Sequence, residues 1–124
     1  MALKIIYMGT PEFAVPILKS LHNSKHSIIE VYTQPPKKKN RGQKINSTPV
    51  QKVSEKFSLN FRSPENLDSK LEYEYIKNLK PDVVVVVAYG KIIPDSFLSL
   101  KNTKFINIPA SLLPKGRGAA PIQR

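Results

Sequence analysis

Apolar and polar positions alternate between two periods along this 124-residue chain. Leu3–Met8 is a short apolar run closed by Gly9, the pattern of a buried strand. Thr10-Pro11-Glu12 then opens a helix. Threonine suits the N-cap, proline the first helical position, and glutamate the positive end of the helix dipole. Phe13, Ala14, Ile17, Leu18 and Leu21 follow at helical spacing to about Asn23, and Pro16 falls early enough to be tolerated. Ile28, Ile29, Val31 and Tyr32 predict a second strand, stopped by Pro35-Pro36. Pro35 to Ser47 has no apolar period and reads as a loop. Thr48-Pro49 caps a helix with Val50, Val53 and Phe57 on its inner face, and Leu59-Asn60-Phe61 is a short third strand. Pro64-Glu65 starts a further helix carrying Leu67, Leu71, Tyr75, Ile76 and Leu79. Val83–Val87 is apolar on both faces, the mark of a central parallel strand covered by helices. Pro94–Leu100 predicts a short helix, and Phe105-Ile106-Asn107-Ile108 a fifth strand.

Strands alternating with helices predict an α/β fold, a Rossmann-like, doubly wound, mostly parallel sheet with right-handed crossovers. The last residues, Ala119 to Arg124, read as the first turn of a helix. The sheet is therefore expected to be incomplete at the C-terminus, with residues 1–124 forming part of a single domain.

Composition narrows the function classes. A 40% hydrophobic fraction supports a packed core and argues against wholesale disorder. With no cysteine, disulfides, thiolate metal sites and a cysteine nucleophile are excluded, which fits a cytoplasmic protein. No apolar stretch approaches the roughly 18–20 residues that span a bilayer, and the N-terminus lacks signal-peptide features. Twenty Lys and Arg stand against nine Asp and Glu, for a net charge of +11 and a pI near 10.0. That excess favours a polyanionic partner, usually nucleic acid. The same excess also arises where lysine simply fills tolerant surface positions.

In an open parallel sheet, ligands bind where strands present their carboxyl ends. The turn Gly9-Thr10-Pro11-Glu12-Phe13 has one glycine, and Glu12 would repel a pyrophosphate, so a dinucleotide site is rejected there. Ala88-Tyr89-Gly90 leaves backbone groups accessible to a flat heterocycle, with Ile92 and Ile93 as apolar walls, although Gly90 also suits a plain turn. Asn107 is polar within an apolar strand. Its amide could stabilise an oxyanion, or could satisfy local backbone as an ordinary buried asparagine. Lys37, Lys38, Lys39, Arg41 and Lys44 make a positive arm at the crevice rim, suited to phosphates and equally to a solvated loop. His22 and His26 have no metal-like spacing, and no metal site is expected.

Four segments together resemble the methionyl-tRNA formyltransferase family: Met8–Ala14; Thr33-Gln34-Pro35 with Arg41-Gly42; Val85–Gly90; and Ile106-Asn107 with Ser111-Leu112-Leu113-Pro114 through Arg117–Gln123. The resemblance implies formyl transfer from 10-formyltetrahydrofolate, as cosubstrate, to the methionine amino group on initiator tRNA. It also implies a monomer when full length. Ser111, Leu112, Leu113 and Pro114 match the loop that contacts folate. Ala88, Tyr89 and Gly90, with Ile92 beside them, match the backbone near the pterin. Asn107 matches the catalytic asparagine that polarises the formyl carbonyl. Lys37, Lys38, Lys39, Arg41 and Lys44 match a basic loop that holds the tRNA acceptor end. Other folate-dependent formyltransferases, with sugar-nucleotide or glycinamide-ribonucleotide acceptors, usually share Ser-Leu-Leu-Pro but not Ala-Ala-Pro-Ile-Gln; a noncatalytic RNA- or folate-binding relative is the remaining alternative. Two features depart from the family. Pro109 stands at the position of the catalytic histidine and Gly116 where an aromatic residue is usual. The family's catalytic aspartate is expected beyond Arg124, so this polypeptide alone is expected to be inactive.

Overall fold

The computed structural model describes residues 1–38 and 44–109. Among these, five parallel strands form the main sheet: β1 (Lys4–Gly9), β2 (Ser27–Tyr32), β5 (Phe61–Arg62), β6 (Val83–Val87) and β7 (Lys104–Asn107), in the order β5-β2-β1-β6-β7. A short 3-10 turn (Glu12–Ala14), α1 (Val15–His22) and α2 (Pro49–Lys56) cover one face; α3 (Lys70–Leu79) and α4 (Asp95–Leu98) cover the other. The two apolar layers follow strand alternation. Ile5, Tyr7, Val85 and Val87 face α1, while Ile6, Met8 and Val84 face α3 and α4. This is the α/β, mostly parallel, Rossmann-like arrangement that the alternation predicts. Among the described residues, no helix is long and apolar enough to cross a membrane.

The pairing of β1 with β2 is irregular. Ile5 pairs with Ile28 but Ile6 with Glu30, so one extra residue, Ile29, enters the ladder. The slip brings Glu30 and Tyr32 onto the α3 face. There the Glu72 carboxylate accepts from Tyr32 Oη at 2.7 Å, Arg62 Nε at 3.1 Å and Arg62 Nη2 at 2.9 Å. The guanidinium also lies 4.0 Å over the Tyr75 ring, and the Tyr75 hydroxyl donates to Glu30.

Burial raises the Glu30 carboxyl pKa, more than the Tyr75 hydrogen bond and the Arg62 charge lower it. Burial also pushes up Glu72, but the hydrogen bonds from Arg62 and Tyr32 and the arginine charge outweigh it, and its pKa is lowered. A raised folded pKa stabilises below the unfolded value and loses that contribution as pH rises through the folded value. A lowered one stabilises above the unfolded value and loses it as pH falls through the folded value. Around the ordinary carboxylate value of 4.5, the two groups therefore pull in opposite directions, Glu30 on the neutral side and Glu72 on the acid side. Glu30→Gln is expected to remove the neutral-side loss. Its urea midpoint should match wild type below the ordinary carboxylate value of 4.5 and exceed it increasingly as pH rises above that value. Parallel curves for the two proteins across that window would exclude titration of Glu30 there.

Three local expectations are corrected. The further helix starts at Lys70, not at Pro64-Glu65. Ser69 is its N-cap, accepting from the Glu72 N–H, and Leu67 is fully buried in the preceding non-helical segment. The later start rotates Leu71 outward, to 71% exposure, while Glu72 and Ile76 face in. The stretch read as a loop over Pro35–Ser47 contains a two-stranded antiparallel ladder, β3 (Lys37–Lys38) with β4 (Ile45–Asn46). Thr10 caps no helix: the 3-10 turn intervenes, and the threonine hydroxyl is used elsewhere. Thr48 does cap α2, accepting from the Gln51 N–H at 3.0 Å.

Candidate functional site

Strand order reverses between β1 and β6, the place where an open parallel sheet leaves a crevice at its carboxyl edge. Two clefts flank that point. One, of about 510 Å³, is lined by Val86, Ala88, Tyr89 and Gly90 after β6, by Lys91, Ile93 and Leu98, and by Phe105 and Asn107 of β7. The five-valine strand drives this arrangement: with both faces buried it must be central, which puts its exit turn beside the exit of β7. Asn107 and the 88–90 turn thus share one cleft, and Asn107 is exposed to it rather than buried. Ile93 walls the cleft; Ile92 does not, and stands 86% exposed, because the chain after Gly90 turns its side chain out.

The turn is conformationally unusual. Ala88 has φ +52° and Gly90 φ +86°. For alanine this left-handed backbone costs on the order of 1–2 kcal/mol. Tyr89 is 1% exposed and packs with Tyr32 and Phe97, and burial, with a smaller contribution from the Glu72 charge, pushes its hydroxyl up to about 12. Its backbone carbonyl accepts from Thr10 Oγ1 at 2.8 Å and from Gln34 Nε2 at 3.0 Å, while the Gln34 N–H donates to Thr10 Oγ1 at 3.3 Å. A Cβ on Gly90 would lie 1.9 Å from Gln34 Nε2, so the glutamine amide rests directly on the glycine.

The second cleft, of about 290 Å³, lies on the β2 side and is lined by Thr10, Gln34, Pro35, Lys37, Asn46, Ser47, Thr48 and Pro49. Lys37 and Lys44 are exposed at or near this rim, and Lys38 belongs to β3. Lys39, Arg41, Ser111, Leu112, Leu113 and Pro114 lie outside the described residues. Pro109 is exposed just past β7, where the ladder ends with Ile108 N–H donating to the Val86 carbonyl at 2.8 Å. Residue-by-residue reading singled out neither Thr10 nor Gln34 as a site residue; the polar pair at the two strand exits, Thr10 after β1 and Gln34 after β2, was the available signal.

The formyl transferase family model matches residues 3–124. The methionyl-tRNA formyltransferase of Pelagibacter ubique is 60% identical over 125 residues, covering 100% of this chain and 40% of that protein. The enzymes of the same name from Alkaliphilus oremlandii and Thermotoga maritima are 52% and 44% identical, over 97% and 98% of this chain and 39% of each relative. The chain spans about two fifths of the length of the curated relatives it matches.

Proposed function

This chain belongs to the formyl transferase family, and from that premise we propose that its 510 Å³ cleft belongs to the apparatus that moves a formyl group from 10-formyltetrahydrofolate to the methionine amino group of initiator tRNA, in the cytoplasm. The observation that carries this reading is the single cleft shared by Asn107 and the 88–90 turn. Backbone polar groups at a turn, with Ile93, Leu98 and Phe105 as apolar walls, fit a flat heterocycle that has donors and acceptors at its edge. The names of the relatives favour methionyl-tRNA over a nucleotide acceptor.

The folate supplies a carbonyl carbon ready for attack by an amine. The chain's own residues do the rest. The Asn107 amide donates to the formyl oxygen, where negative charge collects during attack. Ser111–Pro114 complete the folate contacts. Lys37 and Lys44, with Lys38, Lys39 and Arg41 between them, meet acceptor-stem phosphates, as the net charge of +11 favours. Pro109 has neither an N–H nor a titratable group, so it can hold no proton from the attacking amine. Binding is therefore retained and turnover by this chain is lost.

Titration calorimetry with 5-formyltetrahydrofolate, a stable reduced folate, tests the reading. Saturable binding is expected with a dissociation constant below about 1 mM, the upper end of common Michaelis constants. No heat of binding at millimolar folate from a folded chain would remove the basis of the assignment.

A further inference from the structure

We infer that Thr10 and Gln34 are positioning residues that latch the 88–90 turn across the switch point of the sheet and so fix the shape of the folate cleft. This rests on the formyl-transfer reading for the identity of the ligand. The latch itself rests on geometry alone. Thr10 follows β1, Gln34 follows β2 and Tyr89 follows β6, so three strand exits meet at one carbonyl oxygen. Two donors on that oxygen engage both of its lone pairs. The Gln34 N–H on Thr10 Oγ1 closes a three-membered ring of hydrogen bonds.

The turn needs such a hold. Ala88 is in the left-handed region, which an alanine leaves readily when nothing restrains it. The Tyr89 side chain is fixed below by burial among Tyr32, Met8 and Phe97, and its carbonyl is fixed above by the latch. Residue 89 is thus pinned at both ends, which sets the direction of the peptide groups on either side. Because the Tyr89 carbonyl is committed to Thr10 and Gln34, the edge offered to a heterocycle is made by the other backbone groups of residues 88–91. Gly90 follows from the same constraint: the Gln34 amide occupies the place where any side chain would begin. In a dinucleotide-binding sheet the switch point is left open for pyrophosphate. Here side chains fill it and become the wall between the two clefts, since Thr10 and Gln34 line the smaller one and Tyr89 and Gly90 the larger.

The test compares Thr10→Val, which keeps shape and loses the hydroxyl, with Thr10→Ser, which keeps the hydroxyl, and with Gln34→Met, which keeps length and loses the amide. Two readouts are taken on the whole chain: affinity for 5-formyltetrahydrofolate, and amide hydrogen exchange. Thr10→Val and Gln34→Met should each weaken folate binding about 5–10-fold, the loss expected for one net hydrogen bond. Exchange at Gly90 and Lys91 should rise by a similar factor, with amides in β1 and β6 unchanged. Thr10→Ser should restore both to within about twofold of wild type. Equal weakening by Thr10→Val and Thr10→Ser, or faster exchange throughout the sheet, would mean a general packing role and overturn the latch. Unchanged exchange at Gly90 and Lys91 in both Thr10→Val and Gln34→Met would overturn it as well. If the wild-type chain binds no folate while local exchange responds as expected, the latch stands and the identity of its ligand falls.

Discussion

A chimera in which residues 1–124 replace the matching part of the Pelagibacter ubique methionyl-tRNA formyltransferase is expected to formylate methionyl-tRNA about 10²–10³-fold more slowly than the same chimera carrying Pro109→His. The identity of 60% over the exchanged region makes the graft conservative. Proline at 109 leaves the cleft intact: β7 still pairs with β6 through Ile108, and Asn107 still faces the 88–90 turn. On the proposed reading, what residue 109 lacks is a group able to take the proton released when the amine attacks. A loss confined to the transition state lowers kcat and kcat/KM together and leaves the KM for folate unchanged. Steady-state kinetics of the two chimeras separate this from a binding defect. Equal kcat values would show that proton handling at 109 is dispensable. A rise in KM for the proline chimera would mean that the residue shapes the cleft instead.

Arg62→Ala is expected to lower unfolding free energy by about 3 kcal/mol, the largest effect of any single truncation in the polar cluster. Its side chain is 32% exposed, which moderates the loss, but its partner Glu72 is 8% exposed at the side chain and loses two of three donors. A buried carboxylate left with one hydrogen bond carries most of the desolvation penalty alone. The Tyr75 ring also loses the cation over its face, and with it part of what orients its hydroxyl towards Glu30. Arg62→Lys should recover less than half of the loss, because an ammonium can neither form the paired Nε and Nη2 bonds nor stack on the ring. Urea unfolding at neutral pH, with unchanged slope, measures both variants. A loss below about 1 kcal/mol for the alanine variant would reduce the cluster to an ordinary surface pair.

The layout of the main sheet was legible because its strands announce themselves by burial. Val83–Val87 can only be central, and a central strand forces the exits of its neighbours into one row. That row brought Asn107 to Ala88–Gly90 from local patterns alone. The β3–β4 ladder left no trace of alternation, since Lys37, Ile45 and Asn46 are exposed, and backbone pairing without burial writes nothing into an apolar pattern. The start of α3 was misread because Pro64-Glu65 has the chemistry of a helix start. The burial of Leu67, a tertiary contact, goes with a bent, non-helical segment that lasts until Ser69 can cap. The latch was invisible for a related reason. Thr10 and the Tyr89 carbonyl are 79 residues apart, and a threonine before Pro-Glu has a local explanation that happens not to apply. Glu30 and Glu72 likewise look like surface carboxylates until β2, β5 and α3 are assembled around them.

The irregular pairing at Ile5 and Ile6 has a consequence for how this chain tolerates change in length. Gains and losses of single residues are usually absorbed at loops, where nothing downstream depends on parity. In Ser27–Tyr32 parity is stored inside the sheet itself. Close the slip with Ile29 kept and Glu30 would pair with Tyr7 and Tyr32 with Gly9, so both would point at α1, leaving Arg62 and Glu72 without their tyrosine and Tyr75 without its carboxylate. The place of the slip is thus a structural specification in its own right: loss of Ile29 itself would leave Glu30 opposite Ile6 and Tyr32 opposite Met8, so the sheet can absorb a change there as a loop does.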